Sequence, residues 1–225
     1  MGFNATKGVG KDFEQPNPGN YPAACIQVID LGMQDKEWAG VKSSSRQCRI
    51  SWELPGELME DGKTPFMVSK FYTVSTHEKS NMRPDFESWL GQAFTPEQEA
   101  CFDLFTVAGK PCLLNCVSKQ KTQGGTTIVV AGITPLPAAM VHLVASLYNP
   151  IVKFSVDDYN AGDQAAIDTY NGLTDWLKGK INLGGQTHMD VPTDQHPVDV
   201  SMQEAIQKTR EESENPGEGQ EEPNF

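Results

Sequence analysis

Three apolar, strand-like segments come first, then a helical insert, then two more strand-like segments joined through Gly124-Gly125. This order, in a chain of 225 residues, predicts a mainly β fold with helical additions: a five-stranded Greek-key barrel of the OB-fold type, with the insert between strands three and four. Two further observations support the class. Residues 44–54 alternate with period two, placing Cys48, Ile50, Trp52 and Leu54 on one face and Gln47, Arg49, Ser51 and Glu53 on the other, as in a strand half exposed to solvent. The strands follow one another without strand–helix repetition, which excludes a doubly wound α/β sheet.

The elements follow in order. Residues 1–20 are rich in Gly, Pro and Asn and read as a flexible N-terminal arm. Residues 21–150 hold the barrel. Tyr21 to Leu31 is the first strand, with Cys25, Ile26, Val28 and Ile29 apolar. Residues 32–43 read as a loop carrying Trp38, and Ser44 to Leu54 is the second strand. Residues 55–65 form a connection around the turn dipeptide Asp61-Gly62. Phe66 to Ser75 is a third strand, rich in aromatic and β-branched residues. In the insert, Pro84 suits a first helical turn, with Phe86, Trp89 and Leu90 on one face. Thr95-Pro-Glu-Gln98 is a capping-box pattern that starts a second short helix. Lys110 to Lys119 and Thr126 to Leu136 are the hairpin strands. Residues 151–181 supply an edge strand at 153–156 and a helix over 163–181, which packs on the barrel or on another subunit. Residues 182–225 read as a disordered acidic tail.

The net charge of −12 is unevenly spread. Residues 1–150 carry 13 Lys/Arg against 15 Asp/Glu, whereas residues 151–225 carry 5 against 15. The overall acidity therefore does not exclude a polyanion as partner, because it is concentrated towards one end. No apolar run is long enough for a membrane span, and the first residues lack the apolar stretch of a signal peptide. The five cysteines, odd in number, fit reduced and buried thiols. Cys112 and Cys116 share a strand face and read as core filling, with no metal site implied.

A catalytic reading needs a cluster, and the sequence groups none: the four His are scattered, and no phosphate loop or nucleophile elbow occurs. A non-enzymatic binding protein without cofactor is expected. In an OB-fold, nucleic acid lies on the strand 2–3 face and against loops 1–2 and 4–5. Cations follow the phosphates there, and aromatic rings stack on bases. The candidates on those elements are Trp38, Arg46, Arg49, Lys70, Phe71, Tyr72, Lys79, Arg83, Lys119 and Lys121. Parity places Trp52 in the core and favours the core for Tyr72. Lys70 shares the parity of Tyr72, so that strand face is not wholly buried. Phe71 lies on the opposite parity and is the better stacking residue. His77 reads as a local hydrogen-bonder at a strand end. The last fifteen residues hold six Glu and no base, and finish at Phe225. One ring after a flexible acidic leader suits docking in a basic, apolar pocket of another protein. The leader also suits competition with nucleic acid for a basic groove.

The blocks YPAACIQVIDLG, ISWELP and GKPCLLNCVSK, with FYTVSTHEKSNMRPDFESWLGQAFTPEQ between them, resemble a family of tailed-phage replication or recombination proteins. These are similar to the single-stranded-DNA-binding proteins of bacteria and their phages, and the likeness covers residues 8–180. The ending Glu221-Glu222-Pro-Asn-Phe225 resembles the acidic tails of such proteins. The resemblance implies cooperative, sequence-independent coating and protection of single-stranded DNA in the cytoplasm of an infected bacterium. It implies recruitment of phage or host replication and recombination proteins through Glu221, Glu222 and Phe225, and leaves room for a homo-oligomer. A competing reading is an interaction or adaptor protein, such as an inhibitor of a host enzyme or a DNA mimic, on the same scaffold. A continuous basic groove would favour DNA binding; a neutral one would favour the adaptor.

Overall fold

The computed structural model describes residues 14–38, 41–121 and 124–184. Most of the N-terminal arm and nearly all of the acidic tail, with Glu221, Glu222 and Phe225, lie outside the described residues. Among the described residues six strands form one mainly antiparallel sheet: β1 Gly19–Trp38, β2 Val41–Leu58, β3 Pro65–Thr73, β4 Pro111–Gln120, β5 Thr126–Thr134 and β6 Val152–Phe154. Their order is β3-β2-β1-β4-β5, with β6 parallel to β1. No ladder joins β3 to β5 among the described residues, so the hydrogen-bonded path is open rather than closed.

β1 serves three partners. Residues 19–24 pair with β4, residues 24–38 pair with β2, and residues 27–29 pair with β6 on the edge that β4 has left. The expected edge strand is therefore present, but it extends an inner strand. The expected loop 32–43 is instead a continuation of the β1–β2 hairpin, from Gln34 opposite Ser45 to Trp38 opposite Val41. Its residues are almost all polar. A two-stranded ribbon with no core to cover shows no apolar alternation, so periodicity does not reveal it.

The main core lies between the inner face of the sheet and the insert. Trp52, Ile50, Leu54, Tyr72 and Leu114 are buried there, with Cys112 and Cys116 filling the β4 face. The insert contains α1 (Met82–Leu90), α2 (Pro96–Ala100) and a 3-10 turn at Leu104–Val107. α1 presents Met82, Phe86 and Trp89 to the core. Its rings meet Trp52 and Tyr72 at centroid distances of 5.8 and 5.7 Å. Trp89 Nε1 donates to the Pro111 carbonyl at 2.9 Å, tying the helix to β4. α2 begins with the expected capping box at Thr95 and Gln98.

A second cluster covers the outer face of β1. Ile29 and Leu31 pack against Phe154, Val156, Leu173, Leu177 and Ile181. The expected single helix over 163–181 is divided into α4 (Gln164–Gly172) and α5 (Asp175–Lys178), preceded by α3 (Val156–Asn160). The break follows Gly172, where Leu173 is extended and the Thr174 hydroxyl accepts the Leu177 N–H to start a new helix. Gly weakens a helix interior, and a Thr cap offers the backbone a better alternative. The chain then crosses β1 at Gly32, whose φ is +70°. A Cβ at Gly32 would lie 2.3 Å from the Asn182 carbonyl oxygen, so only glycine permits the crossing. Asn182 N–H donates to Leu31 O, and its side-chain amide donates to Met33 O.

Burial separates the thiols. Cys25 and Cys48 are pushed up to about 12 and Cys116 to about 11, and burial also raises Cys112 well above its ordinary value. Cys101 is exposed, contrary to the expectation of five buried thiols. Thiolate and access together set reactivity. Mass spectrometry after brief treatment of the native protein with iodoacetamide should find Cys101 alkylated first. Labelling of Cys25 or Cys112 at a similar rate would contradict this packing. Among the described residues no helix is long and apolar enough to cross a membrane.

Candidate functional site

Because Cys48, Ile50, Trp52 and Leu54 point into the core, Arg49, Ser51 and Glu53 occupy the outer face of β2. The β3 register places Phe71, Ser69 and Met67 opposite them in turn. Arg49 is held rather than free. Its Nη1 donates to Gln27 Oε1 at 3.2 Å and its Nη2 to Ser69 Oγ at 2.7 Å. Ser51 Oγ also donates to Gln27 Oε1, and Ser69 Oγ donates to Ser51 Oγ. Burial pulls the Arg49 pKa below its ordinary value, yet a guanidinium keeps its charge in proteins. The result is a cation fixed in place by neutral partners and, among the described residues, not ion-paired to a carboxylate.

Two segments from the C-terminal third border this face. The Arg49 guanidinium lies 5.8 Å from the Trp176 ring centroid, and the Lys180 ammonium is also 5.8 Å from that centroid. Gln27, Arg49, Met67, Lys153, Asp168 and Trp176 are among the residues lining a groove of about 500 Å³. Further along β2, Glu53 is fully buried. Its carboxylate accepts from Tyr148 N–H and Asn149 N–H at 2.8 Å each and from Asn149 Nδ2 at 2.7 Å. A buried carboxylate is stable only when such donors replace water. Here the donors belong to the loop that carries Tyr148.

Among the described residues, the aromatic side chains left exposed are Phe71, Tyr148 and Trp176, at 43, 65 and 56%. Phe71 lies opposite Arg49, Trp176 stands beside it, and the Tyr148 backbone is anchored on Glu53 two residues past Ser51. Phe71 and Trp176 therefore border one face of β2–β3, and the loop carrying Tyr148 is held at its Glu53 end. Exposed rings gathered in one place are more informative than exposed rings scattered singly.

The other nominated residues are placed differently. Tyr72 is buried, and its hydroxyl donates to Asp85 Oδ2 at 2.7 Å. Burial first, and then the Asp85 charge, raise its pKa, and its ring is unavailable for stacking. Lys70 is ion-paired to the same Asp85 oxygen at 2.5 Å. This explains how a lysine shares the core parity: α1 brings a carboxylate to meet it. Arg46 is paired with Asp30 at 2.5 Å and Asp157 at 2.8 Å, and its hydrogen bonding to Asp30 raises its pKa. Arg83 pairs with Glu99 and, at 2.9 Å, with Glu87. Hydrogen bonding to Glu99, then to Glu87, raises its pKa. Three nominated cations are thus neutralised locally.

Lys79, Lys119 and Lys121 are exposed. His77 is also exposed, and its Nδ1 accepts the Lys79 N–H at 3.1 Å, a local turn contact. Gly19 pairs with Cys116, so the β4–β5 turn with Lys119 and Lys121 lies past one end of β1, while Trp38 closes the other. The Trp38 side chain lies outside the described residues. Of the nominated set, the structure brings together Arg49 and Phe71. Trp176 and Lys180 join them, with the Tyr148 backbone held on Glu53 of the same strand, and none of these three was nominated. Tyr148 sits in a short turn segment and Trp176 in a helix read as packing, so only the fold-back reveals them. The available signal is that adjacent apolar residues on a helix cannot both face one core, and here Leu177 is buried and Trp176 is not.

No protein-family model, no curated protein and no solved structure matches the chain.

Proposed function

We propose that the protein binds single-stranded DNA across the outer face of β2–β3. The observation that carries this reading is the meeting of exposed Phe71 and Trp176 at the hydrogen-bonded Arg49, with the loop of exposed Tyr148 held on Glu53 of the same strand. Rings of this kind stack on unpaired bases, each for about 1–3 kcal/mol, and cations beside them follow the phosphates. Lys180 supplies such charge next to Trp176. In this reading Arg46, Lys70, Tyr72 and Arg83 shape the sheet and insert rather than touching DNA.

We read the sheet as an OB-type barrel. In support, β1 is shared between β2 and β4, and the two ends of the path, β3 and β5, are in contact. The resemblance supports a place in phage DNA replication or recombination. The acidic segment 211–225 is proposed as an intramolecular competitor for the cationic face and as a contact for partner proteins.

A second reading, an interaction or adaptor protein, draws on two observations. Arg46, Lys70 and Arg83 are neutralised, and Met140, Val141 and Leu143 are exposed on the 3-10 segment Ala138–Val144. Electrophoretic mobility shifts with single-stranded and duplex DNA at two salt concentrations separate the readings. Single-stranded DNA should be retained preferentially, with affinity falling steeply as salt rises, and deletion of residues 211–225 should tighten the complex. Equal, weak retention of both forms would favour the adaptor.

A further inference from the structure

The groove beside Trp176 contains a feature that general binding to a polyanion does not need. Asp168, on α4, lines it together with Arg49, Lys153 and Trp176. A carboxylate facing phosphates would repel them. Beside bound DNA its favourable partner is a base edge bearing a hydrogen-bond donor, with the phosphates turned towards the cations. Asp168 is also partly oriented. Gln164 Nε2 donates to its Oδ1 at 2.8 Å, while Oδ2 has no protein donor among the described residues. The volume of about 500 Å³ is within the usual range for small-ligand sites, and Trp176 provides the flat apolar wall that a base requires.

Resting on the single-strand reading above, we propose that this groove is a single-base subsite that prefers cytosine to thymine. The base stacks on Trp176, its exocyclic N4 amino group donates to Asp168 Oδ2, and the adjoining phosphate lies towards Arg49 and Lys180. Cytosine presents that amino donor where thymine presents a carbonyl oxygen and a methyl group. Thymine therefore turns an acceptor towards the carboxylate and is disfavoured. The protein would then coat any sequence through its other contacts while holding a preference at one position.

The test uses the full chain, titrated with oligo(dC) and oligo(dT) of equal length at one salt concentration and followed by tryptophan fluorescence. The wild type should bind oligo(dC) about tenfold more tightly, the scale expected for one good base contact. Asp168→Asn should bring the ratio close to one. Asp175→Asn, an equal charge change on α5 outside the groove lining, should leave the ratio unchanged. Equal affinities in the wild type, a preference that Asp168→Asn leaves intact, or a preference equally lost in Asp175→Asn would each overturn the subsite. Failure to bind either oligonucleotide would instead overturn the single-strand reading on which it rests.

Discussion

A Phe71→Ala, Trp176→Ala double variant will bind single-stranded oligonucleotides about 2–4 kcal/mol more weakly than the wild type, or about 30- to 1000-fold. Both rings are largely exposed, so the change should fall on binding and leave thermal unfolding nearly unaltered. The single variants should each lose a part. Phe71 stands on the sheet opposite Arg49, whereas Trp176 reaches the same arginine from α5. Fluorescence anisotropy at fixed salt, with unfolding monitored by circular dichroism, checks both statements. Wild-type affinity in the double variant would remove this face as the binding surface. A parallel drop in melting temperature would mean that the rings are structural.

The second large effect concerns stability. Glu53→Ala should lower the unfolding free energy by about 3 kcal/mol, because it leaves three donors from Tyr148 and Asn149 without their acceptor in a dry site. Glu53→Gln keeps one acceptor oxygen but turns an NH₂ group towards donors, so a smaller loss of about 1–2 kcal/mol is expected. Denaturant unfolding measures both. An unchanged midpoint in Glu53→Ala would mean that the loop is held by something else. Since Glu53 anchors Tyr148, the alanine variant should also weaken single-strand binding even under conditions where it is fully folded. Burying a carboxylate to hold a loop with an exposed ring is otherwise a costly arrangement, and a binding role for Tyr148 explains its use.

Arg49 and Phe71 were legible in the sequence because strand alternation is a local property. Once Cys48, Ile50, Trp52 and Leu54 are assigned inward, Arg49 must face out. Cys112 and Cys116 were legible for the same reason, and the capping box at Thr95 because capping depends on residues a few positions apart. The same local logic left Lys70 unexplained, since its neutralising partner, Asp85, lies on α1. It also overcounted cations: Arg46 and Arg83 look available along the chain, but carboxylates from β1, α3 and the insert meet them in space. The polar β1–β2 ribbon was missed because it covers no core and so carries no apolar period.

By itself the sequence determined the order of strands and insert, the inward and outward faces of β2 and β3, and the concentration of acidity towards residue 225, because each depends only on periodicity, local capping and composition. Only the tertiary structure decided which charged and aromatic groups remain available. The glycine crossing at Gly32, the break at Gly172 and the buried Glu53 bring residues 148–180 back over the sheet. Trp176 thereby reaches Arg49, and the Tyr148 backbone reaches Glu53, each across more than 90 positions of chain. Such contacts arise from long-range packing and ion pairing, whose partners no local pattern specifies.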